Sequence, residues 1–437
     1  MIQPIWYKII IIIFVMAFLF AAGLAYYLWQ ENLNFEANVY YYVPPGLSFL
    51  YDETRVGEFG FEEHISERIN IEKNRLIIAG QSFIDADLKN MKLSLYKEGE
   101  KYKTFTVQSK GKEGSWWQTA PGAYFVGDKV VNHFSSVSGV WMPYAVQFYG
   151  NFFIHGWPFD RAGRQLPLGP SAGCVRLKTS DAIVVFEFAE RGMPVLVFDE
   201  KDYPALPALL PGISGISFPE IDSQSLLIAD LDSGEILLDR NANSEIYAGN
   251  LIKLMLALTA SEIINLDRSI TARAWMIEGI DEKIIVANRS YKAISLLTPL
   301  LADYSDEAAS VLSRFFTSDH FVTAMNVKAR AIGMNNSYFA DIYGKSAENK
   351  LNLYDAAKMM RYIKEYRGFL LDINNELKEK NKDDTESFFA VLQMDYLKNE
   401  SSFSKRNIFI GLIDSSNLEN DYQKILLWLN YTLGLSK

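Results

Sequence analysis

The stretch Ile9–Trp29 contains no charged side chain and reaches the roughly 20 apolar residues that a membrane-spanning helix needs. A buried core helix would keep a polar stripe, and this segment has none. Lys8 and the chain's own amine precede it, while Glu31 and Glu36 follow it. Basic flanks stay on the cytoplasmic side. The sequence therefore predicts a cytoplasmic start and transmembrane anchor at 1–30, with the rest of the chain outside. Tyr26, Tyr27 and Trp29 then sit at the outer interface. The rival is a cleaved signal peptide, whose apolar region runs about 7–15 residues; the small residues of "FAAGLA" suit such a cut.

That placement makes a second feature matter. The chain has one cysteine in 437 residues. Outside the cytoplasm disulfides form, and Cys174 has no partner within the chain. It is buried and inert, bridged to another chain, or chemically used. The remaining composition is that of a globular protein, 49% hydrophobic and 22% charged. A net charge of −10, without basic runs, argues against a nucleic-acid partner. No residue cluster has metal-ligand spacing, and no cofactor is expected.

The pattern divides the chain. Residues 31–75 are mixed and acidic and read as a juxtamembrane stalk. Residues 76–200 alternate short β-branched and aromatic runs with Gly and Asn breaks, the signature of a mostly antiparallel β domain. Within it, "SDAIVVFEFAERG" predicts one helix with Ser180 as N-cap and Gly192 as stop. Residues 201–222 hold Pro204, Pro207, Pro211 and Pro219, a semi-rigid linker. Residues 223–437 begin with two strands around Asp232-Ser233-Gly234, continue through helices and return to a strand before a terminal helix. That order predicts an α+β domain whose sheet joins both ends.

Cys174 lies in a Gly-rich turn, "SAGCVRL", before a strand-like run; His155 ends the strand "FFIHG". The intervening loop is long enough to fold the two side chains together. A neighbouring imidazole lowers a thiol from about 8.5 into the ~3.5–7.5 range, and the same ring then hands a proton to a leaving amine. Gly173 leaves room for a carbonyl, with the amides around 173–174 as a candidate oxyanion hole. Taken alone, a lone Cys is more often a small buried hydrophobe.

"IHG…SAGCVRL" resembles the signature of the YkuD-type L,D-transpeptidases, and the likeness runs over about 76–199. The resemblance implies Cys174 as the acylated nucleophile and His155 as general acid and base. It implies that the carbonyl of Gly156 orients the ring and that Ser171 and Gly173 shape the turn. Arg176 holds the loop, faces a substrate carboxylate or is a solvated strand charge. Tyr144 lines the groove or is simply buried. Ala172 departs from the His found in many members, and altered substrate contact is expected there.

"SLLIADLDSGEILLDRNANSEIYAGNLIKLMLALTASEI" resembles the opening of the D-alanyl-D-alanine carboxypeptidases, penicillin-binding proteins of the serine β-lactamase-like fold. There a Ser-x-x-Lys pair shares a helical face, so lysine activates the hydroxyl. Here the site reads Asn250-Leu-Ile-Lys253. The family's Ser-x-Asn reads Tyr304-Ser305-Asp306, and its Lys-Thr-Gly is missing from the sequence. The resemblance implies a fold kept without its acyl chemistry, with Lys253 needing a partner or a depressed pKa.

The expectation is a multi-domain protein: an N-terminal transmembrane helix, a mostly-β YkuD-like domain, then an α+β penicillin-binding-protein-like domain. By resemblance it is a single-pass L,D-transpeptidase of the bacterial cell membrane, catalytic part extracytoplasmic, acting on peptidoglycan stem peptides, with a cell-wall protein as a candidate partner of the second domain. With water as acceptor it becomes an L,D-carboxypeptidase; with a protein amine, an attachment enzyme. A third reading makes both domains inactive and the chain a peptidoglycan-binding scaffold.

Overall fold

The computed structural model describes Gly23 and residues 64–135, 138–199, 217–249, 251–314, 318–375, 387–399 and 402–432. The expected anchor and most of the stalk lie outside these residues. Among the described residues no helix is long and apolar enough to cross a membrane.

The first unit opens with a helix that the stalk assignment did not foresee. In α1 (Ile65–Ile78) Ile69 and Leu76 are buried on one face, Glu67 stands in the first turn and Arg75 in the last, each complementing the helix dipole. That face joins Phe83, Tyr96, Leu196 and Phe198 in a satellite core. α1 also reaches the second unit: Arg68 Nη1 donates to Gly333 O at 3.1 Å, and the His64 ring lies 3.2 Å from Glu365.

Nine strands follow α1 in two sheets. β1 (Phe83–Asp87), β2 (Lys92–Lys97), β3 (Glu100–Thr106), β4 (Gly122–Phe125) and β9 (Pro194–Phe198) form one, in the order β3-β2-β1-β9-β4. β5 (Lys129–Ser135), β6 (Val140–Tyr149), β7 (Phe152–His155) and β8 (Val175–Arg176) form the other, in sequence order. The pairing is antiparallel except at β1–β9 and β7–β8, which join strands far apart in sequence. Helix α2 (Thr179–Phe188) lies between β8 and β9. Its N-cap is Lys178, without a side-chain cap, and it ends at Phe188. Ser180 is thus inside the first turn. Gly192, at φ +84, turns the chain into β9 and does not stop the helix.

In the second unit β10 (Ser225–Asp230) and β11 (Ile236–Arg240) form the expected hairpin, with Gly234 at φ +80 in the turn. β12 (Ser387–Asn399) and β13 (Ser402–Ile413) complete a sheet of order β11-β10-β13-β12. The β10–β13 pairing joins the two ends of the domain. Between them lie α3 (Leu251–Ile263), α4 (Ala293–Ala302), α5 (Asp306–Ser313), α6 (Ser318–Ala331) and α7 (Leu353–Tyr366); α8 (Leu418–Thr432) closes the fold. All of α3 is buried, including Lys253 and Glu262, whose charges are paired with Asp306 and with Lys328 and Arg367. The end of the proline segment belongs to this unit, because Phe218 packs edge-on against Trp428 at 5.1 Å.

One hydrophobic core runs through both units. Buried polar contacts cross the boundary beside it. Lys328 Nζ donates to Tyr124 OH at 3.1 Å, Arg367 Nη2 to Gln118 O at 3.0 Å, and Asn151 Nδ2 to Ile263 O at 2.7 Å.

Candidate active site

Strand alternation builds the site. Ile154 pairs with Val175 and His155 with Arg176 across β7 and β8. Successive side chains point to opposite faces. Ile154 and Val175 enter the main core, which leaves Phe153, His155, Cys174 and Arg176 on the other face. There Cys174 packs with Val140, Met142, Ala145 and Phe153. His155, Cys174, Ser171 and Arg176 line one cleft enclosing about 550 Å³, part of it open solvent.

His155 is buried, and its Nδ1 lies 2.6 Å from Gly156 O. A carbonyl only accepts, so Nδ1 carries the hydrogen and neutral imidazole keeps its lone pair at Nε2. Position 156 has to be small: a Cβ there would stand 3.0 Å from the Thr179 backbone and 3.1 Å from the Pro143 ring. Ser171 Oγ donates to Cys174 O at 2.6 Å and accepts from Gly173 N–H at 3.1 Å. The Gly173 amide is thereby engaged, and is not free as half of the expected oxyanion hole. Gly173 itself is required by φ +103 and by the Phe152 ring, 2.1 Å from where a Cβ would be.

The thiol differs from expectation. Cys174 is 8% exposed. Its Sγ donates to Asn151 O at 3.5 Å, and among the described residues no hydrogen bond joins it to His155. Burial pushes the thiol up to about 11, against opposing effects of the Phe153 backbone and the Arg176 charge. Burial likewise pushes His155 down to about 3, opposed by the Gly156 carbonyl and assisted by Arg176 and His133. The cause is common to both: each group sits where its charged form has lost water. At neutral pH the pair is uncharged, not the thiolate of the sequence expectation.

Arg176 is 8% exposed, and its Nε is buried without a hydrogen-bond partner. Its guanidinium makes one long bond, Nη1 to Gly169 O at 3.4 Å, and faces the Trp157 ring at 5.8 Å. Burial lowers its pKa. The solvated-charge reading is therefore wrong. Tyr144, at φ +51, packs edge-on against Phe186 at 5.7 Å and is not among the residues lining the cleft. The stacked pair Trp116 and Trp117 lines it instead, ring centroids 3.6 Å apart. "SWWQ" was the available signal for that pair. Asn151 reads as a hairpin-turn residue, and Glu262–Asn265 of the second unit, which also line the cleft, carry no sequence signal at all.

Of the second, altered site, Asn250 lies outside the described residues. Lys253 is 1% exposed and ion-paired with Asp306. Asp306 also meets Lys345 Nζ at 2.5 Å. Burial lowers the Lys253 pKa, and Asp306 opposes that. Ser305 is the N-cap of α5: its Oγ accepts from Ala308 N–H at 3.0 Å and donates to Glu282 at 2.6 Å. Tyr304 precedes it at φ +48.

Residues 81–197 match the L,D-transpeptidase catalytic domain family, YkuD, and residues 214–403 match the D-alanyl-D-alanine carboxypeptidase family. The chain joins a YkuD domain to a carboxypeptidase-family domain. Relatives include a D-alanyl-D-alanine endopeptidase of Pseudomonas aeruginosa, 26% identical over 155 residues (34% of this chain, 49% of that protein). A second is the D-alanyl-D-alanine carboxypeptidase DacB2 of Mycobacterium tuberculosis, 30% identical over 125 residues (28% of this chain, 43% of that protein). The chain thus spans about half the length of the curated relatives it matches. The crystal structure of a D-alanyl-D-alanine carboxypeptidase from Mycobacterium tuberculosis superposes with a TM-score of 0.43 at 19% identity, covering 49% of this chain and 94% of that one. In these terms Cys174 and His155 lie in the YkuD domain, and Glu262–Asn265 in the carboxypeptidase-family domain.

Proposed function

We propose that this protein is a membrane-anchored L,D-transpeptidase that crosslinks or remodels peptidoglycan through a cysteine acyl-enzyme at Cys174. One observation carries the reading: His155 at the end of β7 and Cys174 just before the parallel strand β8 face a single cleft, with the imidazole held so that Nε2 is the basic nitrogen. The thiol hydrogen now bonds Asn151 O. When a stem-peptide carbonyl enters, that hydrogen passes to Nε2 and sulfur bonds the carbonyl carbon of the third stem residue. The imidazolium returns the proton to the departing D-Ala amine as the C–N bond breaks, leaving a thioester. The amine of a second stem then attacks the thioester: its proton passes by way of Nε2 to the sulfur, the C–S bond breaks as the amide forms, and Cys174 is released as the thiol. The apolar Ile9–Trp29 segment supports a bacterial membrane location with this chemistry outside.

The carboxypeptidase-family domain is read as lacking acyl chemistry. Its lysine is ion-paired with Asp306, its Ser305 caps a helix, and Asn250 offers no nucleophilic oxygen.

The burial of the thiol favours a second reading, a peptidoglycan-binding scaffold without turnover. Mass spectrometry of digested cell wall separates the two. Cys174→Ala abolishes the new crosslinks if the first reading holds; crosslinks unchanged by the substitution sink it.

A further inference from the structure

Among the described residues, the carboxypeptidase-family domain touches the Cys174 cleft at the C-terminal end of α3 and the two residues after it. Glu262, Ile263, Ile264 and Asn265 line the same cleft as Trp116 and Trp117. This is the same helix that carries Lys253 one end away, at the altered site.

Two features fix that helix end in place. The first is Asn151. Its Nδ2 donates to Ile263 O at 2.7 Å, and its own carbonyl accepts the Cys174 thiol at 3.5 Å. A single residue thus ties the helix end to the nucleophile. The Ile263 carbonyl is one of the last-turn acceptors that a helix leaves unsatisfied, so the bond answers a need on both sides. The second is Glu262, which is 6% exposed. It meets Lys328 at 2.9 Å, Arg367 at 3.3 Å and the Tyr362 hydroxyl at 2.8 Å. Lys328 and Arg367 in turn bond Tyr124 OH and Gln118 O of the YkuD domain. A buried charged group without such partners would be costly; here the two cations that hold Glu262 are the ones that cross the domain boundary.

We propose that the Cys174 peptide site is a two-domain cleft: the end of α3, Glu262–Asn265, is its second wall and selects the peptide, and Asn151 is the positioning residue that sets this wall against the thiol. The inference rests on the transpeptidase reading for the identity of the peptide, but the wall itself does not. Asn265 is the wall residue free to meet a ligand. It is half-buried and lines the cleft, and its Oδ1 accepts Asp267 N–H at 3.0 Å, so its amide NH2 is the group left to donate. A peptide lying between indole rings and an amide edge, with the Arg176 guanidinium at the same cleft, fits a chain that carries a carboxylate.

The test has two arms, both on the full chain. In the first, a Cys174→Ala background is titrated calorimetrically with a synthetic stem tetrapeptide, with and without Asn265→Trp. The wall predicts at least tenfold weaker binding on filling the cleft; equal affinity overturns it. If the parent binds no tetrapeptide, the functional reading fails, and the second arm still decides the wall. There the otherwise native chain is alkylated with iodoacetamide at pH 8, with and without Asn151→Ala, and the melting temperature is recorded. Releasing Ile263 should raise the labelling rate of Cys174 at least tenfold below the melting range, with Asn151→Gln falling between the two. An unchanged rate in a folded Asn151→Ala protein overturns the clamp.

Discussion

Ile154 and Val175 pair across β7 and β8 and are 1% and 0% exposed. Their burial fixes which face of the small sheet is core, and therefore sends His155 and Cys174 to the other face together. A one-residue slip of either strand would reverse that. Ile154→Ala is expected to cost about 2–5 kcal/mol of stability, read as a lower denaturant midpoint with an unchanged slope. Because the pairing is also the register, the substitution should slow wall crosslinking by more than the unfolded fraction explains.

Gly173 is a second lock on the position of Cys174. Gly173→Ala places a methyl group in the Phe152 ring at a left-handed φ, so a loss of at least ~2 kcal/mol is expected from strain and overlap combined. Phe152→Ala in the same chain should recover the overlap but not the strain. The double variant, compared with each single by chemical denaturation, checks this: a penalty for Gly173→Ala that is the same with and without the Phe152 ring contradicts the overlap.

The two candidate catalytic groups give the fold a pH window. The thiol is raised from 9.0 to about 11 in the folded chain. It therefore contributes stability below pH 9 that is lost as pH rises toward 11. His155 is lowered from 6.5 to about 3. Its contribution is present above pH 6.5 and lost as pH falls toward 3. Melting temperature should be highest between those limits, and Cys174→Ala should flatten the alkaline side only. Iodoacetamide labelling of the native thiol should still be climbing at pH 10, where an ordinary thiol has levelled off.

Lys253 and Asp306 make a further prediction in the second domain. Lys253→Met strands a buried carboxylate that, among the described residues, keeps the exposed Lys345 as its cation, and should cost about 3 kcal/mol. Lys253→Met with Asp306→Asn removes both charges and should cost clearly less. Thermal unfolding of the native chain and the two variants checks it; equal losses in single and double would contradict a structural ion pair.

Much of this was legible in the sequence. The alternation in "FFIHG" and "CVRL" already separates Ile154 and Val175 from His155 and Cys174. The Asp232-Ser233-Gly234 turn and the return strand at the chain's end give the second sheet, although Ser387–Asn399 went unread. Other features depend on where distant segments land. No local pattern tells Ile69 and Leu76 that their helix will dock on β9, so that stretch read as stalk. Nor does any pattern announce that Ile263 will meet Asn151, or that Lys253 will find Asp306. Gly192 matched a helix stop because the same left-handed conformation also begins a strand. The thiol's state was misread for the same reason: the intervening loop allows His155 to come near, but says nothing of both groups being stripped of water.

The most direct measurement of the central claim is intact-mass spectrometry of the full chain after incubation with a synthetic stem tetrapeptide. The account predicts an adduct on Cys174 that corresponds to the tetrapeptide less its terminal D-Ala, with one free D-Ala released per adduct, and neither product from His155→Ala. A native chain that stays at its starting mass while the peptide demonstrably binds would contradict it.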